Sequence, residues 1–369
     1  MSKIEDLIKQ YCPNGCEWKR LGDTSLFRIS RGVVISKSYI AEHHGQYPVY
    51  SSQTENDGCL GCIDTYAVDG ERITWTTDGA KAGTVFYRSG KYNITNVCGM
   101  IECVSSDISC KYVSYVFGVE APKFVNKAMG NCKLMSNVVE NILIPIPHIA
   151  VQDEIVRILD KFTELEKELE KELELRKKQY EWYRDELLTF GDEVERKKVS
   201  EITNVLRGKR LTKTQLSEEG KFSVFHGGLE PLGKYDSFNR KANTVMIINV
   251  GASAGTVGYC KEDFWSSDGC FCLSATEEAE ARYLYFVFQS NEHYLISRVR
   301  KAGIPTLDAN VIEDMEIPVP SITEQERIVK ILDKFDTLTT SLTSGLPAEI
   351  KLRKQQYEYY RDYLFGLLK

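Results

Sequence analysis

The residues of this chain whose types could do chemistry are cations, amides and hydroxyls clustered on glycine-containing loops, and that chemistry is contact with a polyanion. The densest cluster is Arg207, Gly208, Lys209 and Arg210 with Lys213. Arg31, Gly32 and Lys37 stand at the matching place of an earlier segment. On nucleic acid, Lys and Arg contacts to phosphate fix position, while amide, hydroxyl and charged groups read base edges. Ser51, Ser52 and Gln53 correspond to His226, Gly227 and Gly228, so a polar site differs between two otherwise similar segments. Small and hydroxyl residues recur in one loop with Thr77 and Lys81 and in another with Ser253 and Thr256, which allows close backbone approach. Lys127, Arg300 and Lys301 precede a further glycine in each segment and could meet phosphates. A solvated basic turn or a tight hairpin explains the same residues without a ligand, and both readings stay open.

Catalysis lacks its expected residues. No Asn-Pro-Pro-aromatic or Asp-Pro-Pro-Tyr run for amino-group methylation occurs, nor a Rossmann-type glycine loop or a GxxxxGK[ST] motif. Cys12 with Cys16 and Cys59 with Cys62 have spacings that zinc sites use, but no second pair stands at a matching offset, and His43, His44, His148, His226 and His293 form no ligand set. No metal is expected. The 11 cysteines suggest no disulfide framework and suit a reducing compartment. With no apolar run of about 18 residues and no apolar core in MSKIEDLIKQ, a cytoplasmic protein without a membrane span is expected. The net charge of -6 at first disfavours nucleic acid, yet residues 151–195 hold 15 Asp and Glu against 8 Lys and Arg. The remainder is therefore close to neutral, and the acid reads as a solvated helix face.

The elements that must position these loops occur twice. IPIPHIAVQDEIVRILDKF (144–162) is matched by IPVPSITEQERIVKILDKF (317–335), and LRKKQYEWYRD (175–185) by LRKQQYEYYRD (352–362), with four extra residues between the blocks in the second copy. Apolar residues at steps of three and four, such as Ile155, Ile158, Phe162 and Leu165, predict a coiled-coil seam. The four extra residues, which add one more step of four to a seam running Leu338, Leu342, Leu346 and Ile350, are expected to keep the second seam on one face, with a kink or break where Ser344, Gly345 and Pro347 interrupt the pattern. Each IP-x-P ends a strand and sets up a helix, and Thr323 with Glu326 resembles a capping box. About 40 residues of helix run about 60 Å, longer than a domain of this size is wide, so each copy predicts a connecting rod. Aromatics at the rod ends (Tyr180, Trp182 and Tyr183; Tyr357, Tyr359 and Tyr360) are assigned to packing rather than base stacking.

Between the rods, DGAKAGTV (78–85) matches VGASAGTV (250–257) and KYVSYVF (111–117) matches RYLYFVF (282–288). Strand-like runs at 73–77, 84–87, 245–250 and 256–260, with helix-like runs after them, predict two small α+β domains of one fold. EWKRLGD (17–23) resembles ERKKVSE (195–201), which makes the repeat circularly permuted. The expected boundaries are 1–23 for a segment completing the second half-repeat, 24–148 for the first domain, 149–190 for the first rod, 191–321 for the second domain and 322–369 for the second rod.

The two IP-x-P blocks, each preceded by a loop glycine (Gly130, Gly303), together with CPNGCEWKRLGD (12–23), resemble the specificity subunits of type I restriction-modification systems. The resemblance covers essentially the whole chain. It implies an α+β protein in which two target recognition domains are joined by two long antiparallel coiled-coil helices with approximate two-fold symmetry. It also implies a DNA-reading adaptor without catalysis of its own. Each domain would read half of a bipartite duplex site. Two modification subunits would methylate adenine with S-adenosylmethionine held by those subunits, and a restriction subunit, a nuclease-translocase, would join at unmethylated sites. Val156, Leu159, Val329 and Leu332, flanking the seam, are the expected docking face for modification subunits. The first rod departs from the family's usual Pro-x-x-Glu-Gln in having Ala150, Val151 and Gln152, which puts a helix cap in doubt. A coiled-coil spacer without DNA binding is the alternative; it explains the rods but not two divergent domains.

Overall fold

A computed structural model describes residues 3–127 and 131–369. Gly130 lies outside the described residues. The chain forms two compact units, residues 1–167 with 352–369 and residues 168–351, so its last residues complete the unit that its first residues begin.

In the first unit, helix α1 (Lys3–Tyr11) leads to strand β1 (Glu17–Arg20), β2 (Phe27–Arg31), α2 (Lys37–Glu42), β3 (His44–Tyr50), β4 (Cys59–Ile63), β5 (Val68–Asp69), β6 (Arg72–Thr76), β7 (Val85–Arg88), β8 (Lys91–Ile94) and β9 (Cys98–Cys103). After these come α3 (Cys110–Glu120), α4 (Ser136–Val139), β10 (Leu143–Ile146) and the long helix α5 (Ile149–Leu187), which continues into the second unit. Two four-stranded sheets, ordered β2-β9-β6-β7 and β4-β3-β8-β5, form the body, and β1 pairs antiparallel with β10. Central strand β6 shows how the sequence builds both faces. Ile73 and Trp75 point into the core shared with α3, α5, α1 and the chain's last helix, while Thr74 and Thr76, also buried, alternate to the other side. A second small core of Val68, Tyr92, Ile94 and Cys98 serves the other sheet.

The second unit repeats this order. Strand β11 (Arg196–Lys198), α6 (Val199–Ile202), β12 (Leu206–Arg207), β13 (Phe222–Phe225), β14 (Gly233–Tyr235), β15 (Thr244–Ile248), β16 (Val257–Cys260), β17 (Trp265–Ser266) and β18 (Cys270–Leu273) precede α7 (Ala281–Ser290), α8 (Glu292–Ser297), α9 (Ala309–Glu313), β19 (Glu316–Pro318), α10 (Ile322–Thr340) and α11 (Leu346–Gly366), most of which belongs to the first unit. Its sheets run β12-β18-β15-β16 and β14-β13-β17, and β11 pairs with β19 as β1 does with β10. Strand β15 is buried throughout, with Val245 and Ile247 in the helix-side core and Met246 and Ile248 in the core of the opposite face. Both expected α+β domains are present, and the four strand-like runs read from the sequence lie within two residues of β6, β7, β15 and β16.

Each rod is fastened to its domain by the same three devices. Buried Gln152 accepts from the Ser109 amide (2.9 Å) and donates to the carbonyls of Asp107 (2.9 Å) and Pro147 (2.8 Å). Buried Gln325 accepts from the Glu280 amide (2.9 Å) and donates to the carbonyls of Glu278 (2.8 Å) and Pro320 (2.9 Å). Tyr112 donates to the Pro145 carbonyl as Tyr283 donates to that of Pro318. Lys111 pairs with Asp160 at 2.7 Å, and its counterpart Arg282 pairs with Asp333 and Asp336 at 2.6 Å each.

The departure at Ala150 to Gln152 thus leaves the glutamine clamp intact and changes only the cap. Ser321 Oγ accepts from the Glu324 amide in the second copy, and His148 Nδ1 accepts from the Ala150 amide in the first. The expected capping pair Thr323 and Glu326 is corrected by two residues: the cap is Ser321, and Glu324 turns to Arg327 at 2.6 Å.

Within the first unit, Phe162 stacks on Tyr360 at 5.3 Å and Glu166 meets Lys354 at 3.1 Å, so the start of α5 and the end of α11 run antiparallel. In the second unit the repeat-equivalent pair, Phe335 and Tyr183, stacks at 5.3 Å, and Tyr180 bonds to Gln289. The expected break in the second rod is present at 341–345. A Cβ on Gly345 would sit 2.4 Å from the Thr337 carbonyl oxygen, so only glycine lets the chain turn this close to the end of α10. The seam is not kept on one face through the break, because Leu342 falls outside both helices and is 75% exposed.

Candidate nucleic-acid interface

The loops that carry the candidate residues gather at one edge of each domain. In the first, the segment after β2 bridges that after β8, with the Asn96 amide donating to the Val33 carbonyl (3.0 Å). The Thr95 amide donates to the Tyr50 carbonyl (2.9 Å) and the Thr77 amide to that of Val97 (3.3 Å), which adds the ends of β3 and β6. The Gly79 amide donates to the Cys132 carbonyl (3.1 Å), bringing in the segment before α4. Gly32 is required here: a Cβ would stand 1.9 Å from the Ile94 oxygen.

The second domain repeats the arrangement. Amides of Gly208 and Lys209 donate to the carbonyls of Cys270 (3.2 Å) and Ser266 (2.9 Å), Ser267 donates to that of Phe225 (3.0 Å) and Asn249 to that of Gly269 (3.1 Å). Gly251 donates to the Pro305 carbonyl (2.9 Å). The Arg207 loop is held further by Trp265 Nε1 on the Lys209 carbonyl (2.7 Å) and Arg240 Nη2 on that of Arg207 (2.9 Å). Backbone bonds and these two side chains hold the loop, Arg207 Nε adds a bond to the Asp268 carbonyl (3.4 Å), and Lys209 and Arg210 are left exposed.

Most candidates are brought together. Arg31, Lys37 and Lys81 are exposed at the first edge; Arg207, Lys209, Arg210, Lys213 and Lys301 are exposed at the second. Ser51, Ser52 and Gln53 are half-buried, with Ser51 accepting from Thr95 Oγ1 (3.0 Å) and Gln53 bonding to the Cys59 carbonyl. Arg88, buried between the Tyr50 and Phe86 rings, pairs with Asp57 and fastens the turn that follows Gln53. Exposed His226 stands 3.3 Å from Asp268, and Ser253 is half-buried in its hairpin. Arg300 is exposed but paired with Asp308 at 2.9 Å.

Two expectations are corrected. Thr77 is 1% exposed and its hydroxyl donates to the Val97 carbonyl (2.9 Å), so it builds the edge and cannot touch a ligand there. Leu159, Val329 and Leu332 are buried in the domain cores, and Val156 packs against the first. The helix face flanking the seam covers the rod's own domain, so these residues offer no docking surface. Missed by the sequence reading were Asn96, Asp268 and the exposed pair Val33 and Val34, because nothing local marks a residue as sitting at a loop apex.

Among the described residues no helix is long and apolar enough to cross a membrane, and no three His, Cys, Asp or Glu are grouped to hold a metal ion. The family described as the type I restriction modification DNA specificity domain matches this sequence twice, over residues 13–175 and 191–352. The chain belongs to that family. Its part in such a system is specificity, not catalysis. A Mycoplasma pneumoniae protein that carries the name of a type I specificity subunit is 30% identical over 348 residues, 91% of this chain and 94% of the relative. The specificity subunit of the Escherichia coli type I restriction enzyme EcoR124I/EcoR124II is 34% identical over 295 residues, 72% of this chain and 73% of that one. In fold, this specificity subunit is similar to the S subunit of a type I restriction-modification system from M. genitalium, with a TM-score of 0.63 at 18% identity and 96% of each chain covered. A second solved chain, from work on the assembly of a type I system, gives 0.57 at 15% identity, covering 96% of this chain and 98% of that one.

Proposed function

We propose that this specificity subunit reads a bipartite duplex DNA site, one half through each domain's loop edge, and presents it to other subunits of a cytoplasmic restriction-modification complex. The observation that carries this reading is the duplicated edge: equivalent backbone bonds (Thr95 to Tyr50 as Ser267 to Phe225, Thr77 to Val97 as Asn249 to Gly269, Gly79 to Cys132 as Gly251 to Pro305) tie both sets of loops together, while the side chains they display differ. Two modification subunits, one per unit, methylate adenine in the site with S-adenosylmethionine that they bind themselves, and restriction subunits act when the site is unmethylated. The domains keep the boundaries given above, with 1–23 completing the repeat. Docking is assigned to the outer face of the rods, where equivalent residues of the two copies, Leu175 with Trp182 and Leu352 with Tyr359, are exposed seven positions apart on one helical face.

Sequencing of methylated adenines in the source genome identifies the site, and binding to that duplex then tests the reading. Replacing Arg207, Lys209 and Arg210 together by Ala is expected to weaken binding and lower its salt dependence by about one unit of slope per lost phosphate contact. The preference at the other half-site should not change. Equal loss of preference at both halves would show that the domains do not read independently, and no affinity in the assembled complex would leave only the spacer role.

A further inference from the structure

The apex loops of the two domains stand at equivalent places in the repeat and are opposite in chemistry. After the obligatory glycine, the second domain places Lys209 and Arg210, whereas the first places Val33 and Val34, 66% and 79% exposed. These valines are not on a loose tip. Val33 bridges Thr95 and accepts the Asn96 amide on one side, and on the other Ser36 Oγ accepts from the Tyr39 amide and caps α2. Single exposed apolar residues need no explanation, but two in succession, held outward by a fixed backbone at an edge of cations and amides, do. Arg31 and Lys37 flank them, and Asn96 lies exposed beside them. A cationic rim around an apolar tip fits the DNA major groove, which combines phosphate walls with one kind of apolar group on its floor, the thymine C5-methyl. Asn is the side chain that pairs with adenine N6 and N7 across the same base pair.

We infer that Val33 and Val34 read the C5-methyl of thymine in the half-site of the first domain, with Asn96 on the adenine of that pair. This rests on the DNA-reading role above. The first domain thus specifies an A·T pair through shape and desolvation, where the second uses charge at the same place.

The test uses the full complex with its modification subunit and the duplex identified by methylated-adenine sequencing. Each thymine of both half-sites is replaced in turn by deoxyuridine, which removes one methyl and leaves the hydrogen-bonding edge. At one or two positions, all in a single half-site, the native complex is expected to lose about fourfold in affinity per methyl, the value of one buried methyl-sized group. A Val33→Ala, Val34→Ala variant should bind the thymine and deoxyuridine duplexes equally at those positions while keeping its preference at the other half-site. The inference is overturned if the native complex binds the duplex yet no deoxyuridine matters, or if the variant keeps the discrimination. Absence of binding to the unsubstituted duplex would overturn the DNA-reading role itself, and the inference with it.

Discussion

The rod attachments of the two units and their apex loops were duplicated together and have since behaved differently. At the attachments, Gln152 and Gln325 make the same three bonds and Tyr112 and Tyr283 the same one, to within about 0.1 Å. At the apex most of the backbone bonds recur, but Lys209 and Arg210 stand where the first domain has Val33 and Val34, and His226 where it has Ser51. A buried amide group that loses its partner costs the unmade hydrogen bonds, whereas an exposed loop side chain is restrained only by what it touches. The attachment is fixed by stability and the apex is free to take up a specificity.

The rods provide the first way to break the comparison, with the largest expected effect. α5 is one helix of 39 residues, about 58 Å long, while the second rod is two helices of 19 and 21 residues joined through 341–345. Deleting 166–169 from α5 should shorten the spacer between half-sites or abolish methylation, whereas deleting 343–346 should leave the spacer unchanged. Mapping methylated sites reads both, and the reverse result would make the second rod the ruler.

Next in size is the ionic attachment, where the units differ in degree. The Arg282 side chain is 8% exposed and bonded to two carboxylates; Lys111 is 37% exposed and bonded to one. Arg282→Ala is expected to destabilise its unit by about 3–5 kcal/mol, since it strands buried charge. Lys111→Ala should cost about 1 kcal/mol or less. Urea unfolding of both variants measures this, and equal losses would mean that burial does not set the difference.

Gln152→Ala and Gln325→Ala should each cost about 2–3 kcal/mol, because three backbone groups lose their partner at either site. The informative quantity is their near-equality. A clamp that matters in one unit only would show that identical geometry conceals a different function.

The smallest effect is on acid stability. Glu154, bonded to Arg157 and Lys3, has its carboxyl pushed down to about 2. A depressed folded-state value stabilises above the unfolded one, near 4.5, and that contribution is lost as pH falls from about 4.5 toward 2. Glu154→Gln should therefore flatten the acid side of the stability profile in this window. Glu324, lowered in the same direction by Arg327 alone and lying on the surface, should change it less when replaced by Gln.

Sequence by itself determined the duplicated plan. The near-identical IP-x-P blocks mark where each rod begins, the period of three and four residues makes it helical, and Ser344, Gly345 and Pro347 break the second. These are local signals, because helix propensity, proline geometry and apolar spacing act over a few residues. Which face of the rod covers its own domain was decided only by the tertiary structure. Val156, Leu159, Val329 and Leu332 look like a free second face until α3 and α7 are laid against them. Thr77 likewise looks like a free loop hydroxyl until it is buried and donates to the Val97 carbonyl. The apex was hidden for the same reason. Residues 33, 51 and 96 are far apart in the chain, and only the pairing of β2, β3 and β8 with their sheet partners brings their loops to one edge, where Val33 and Val34 are left in solvent.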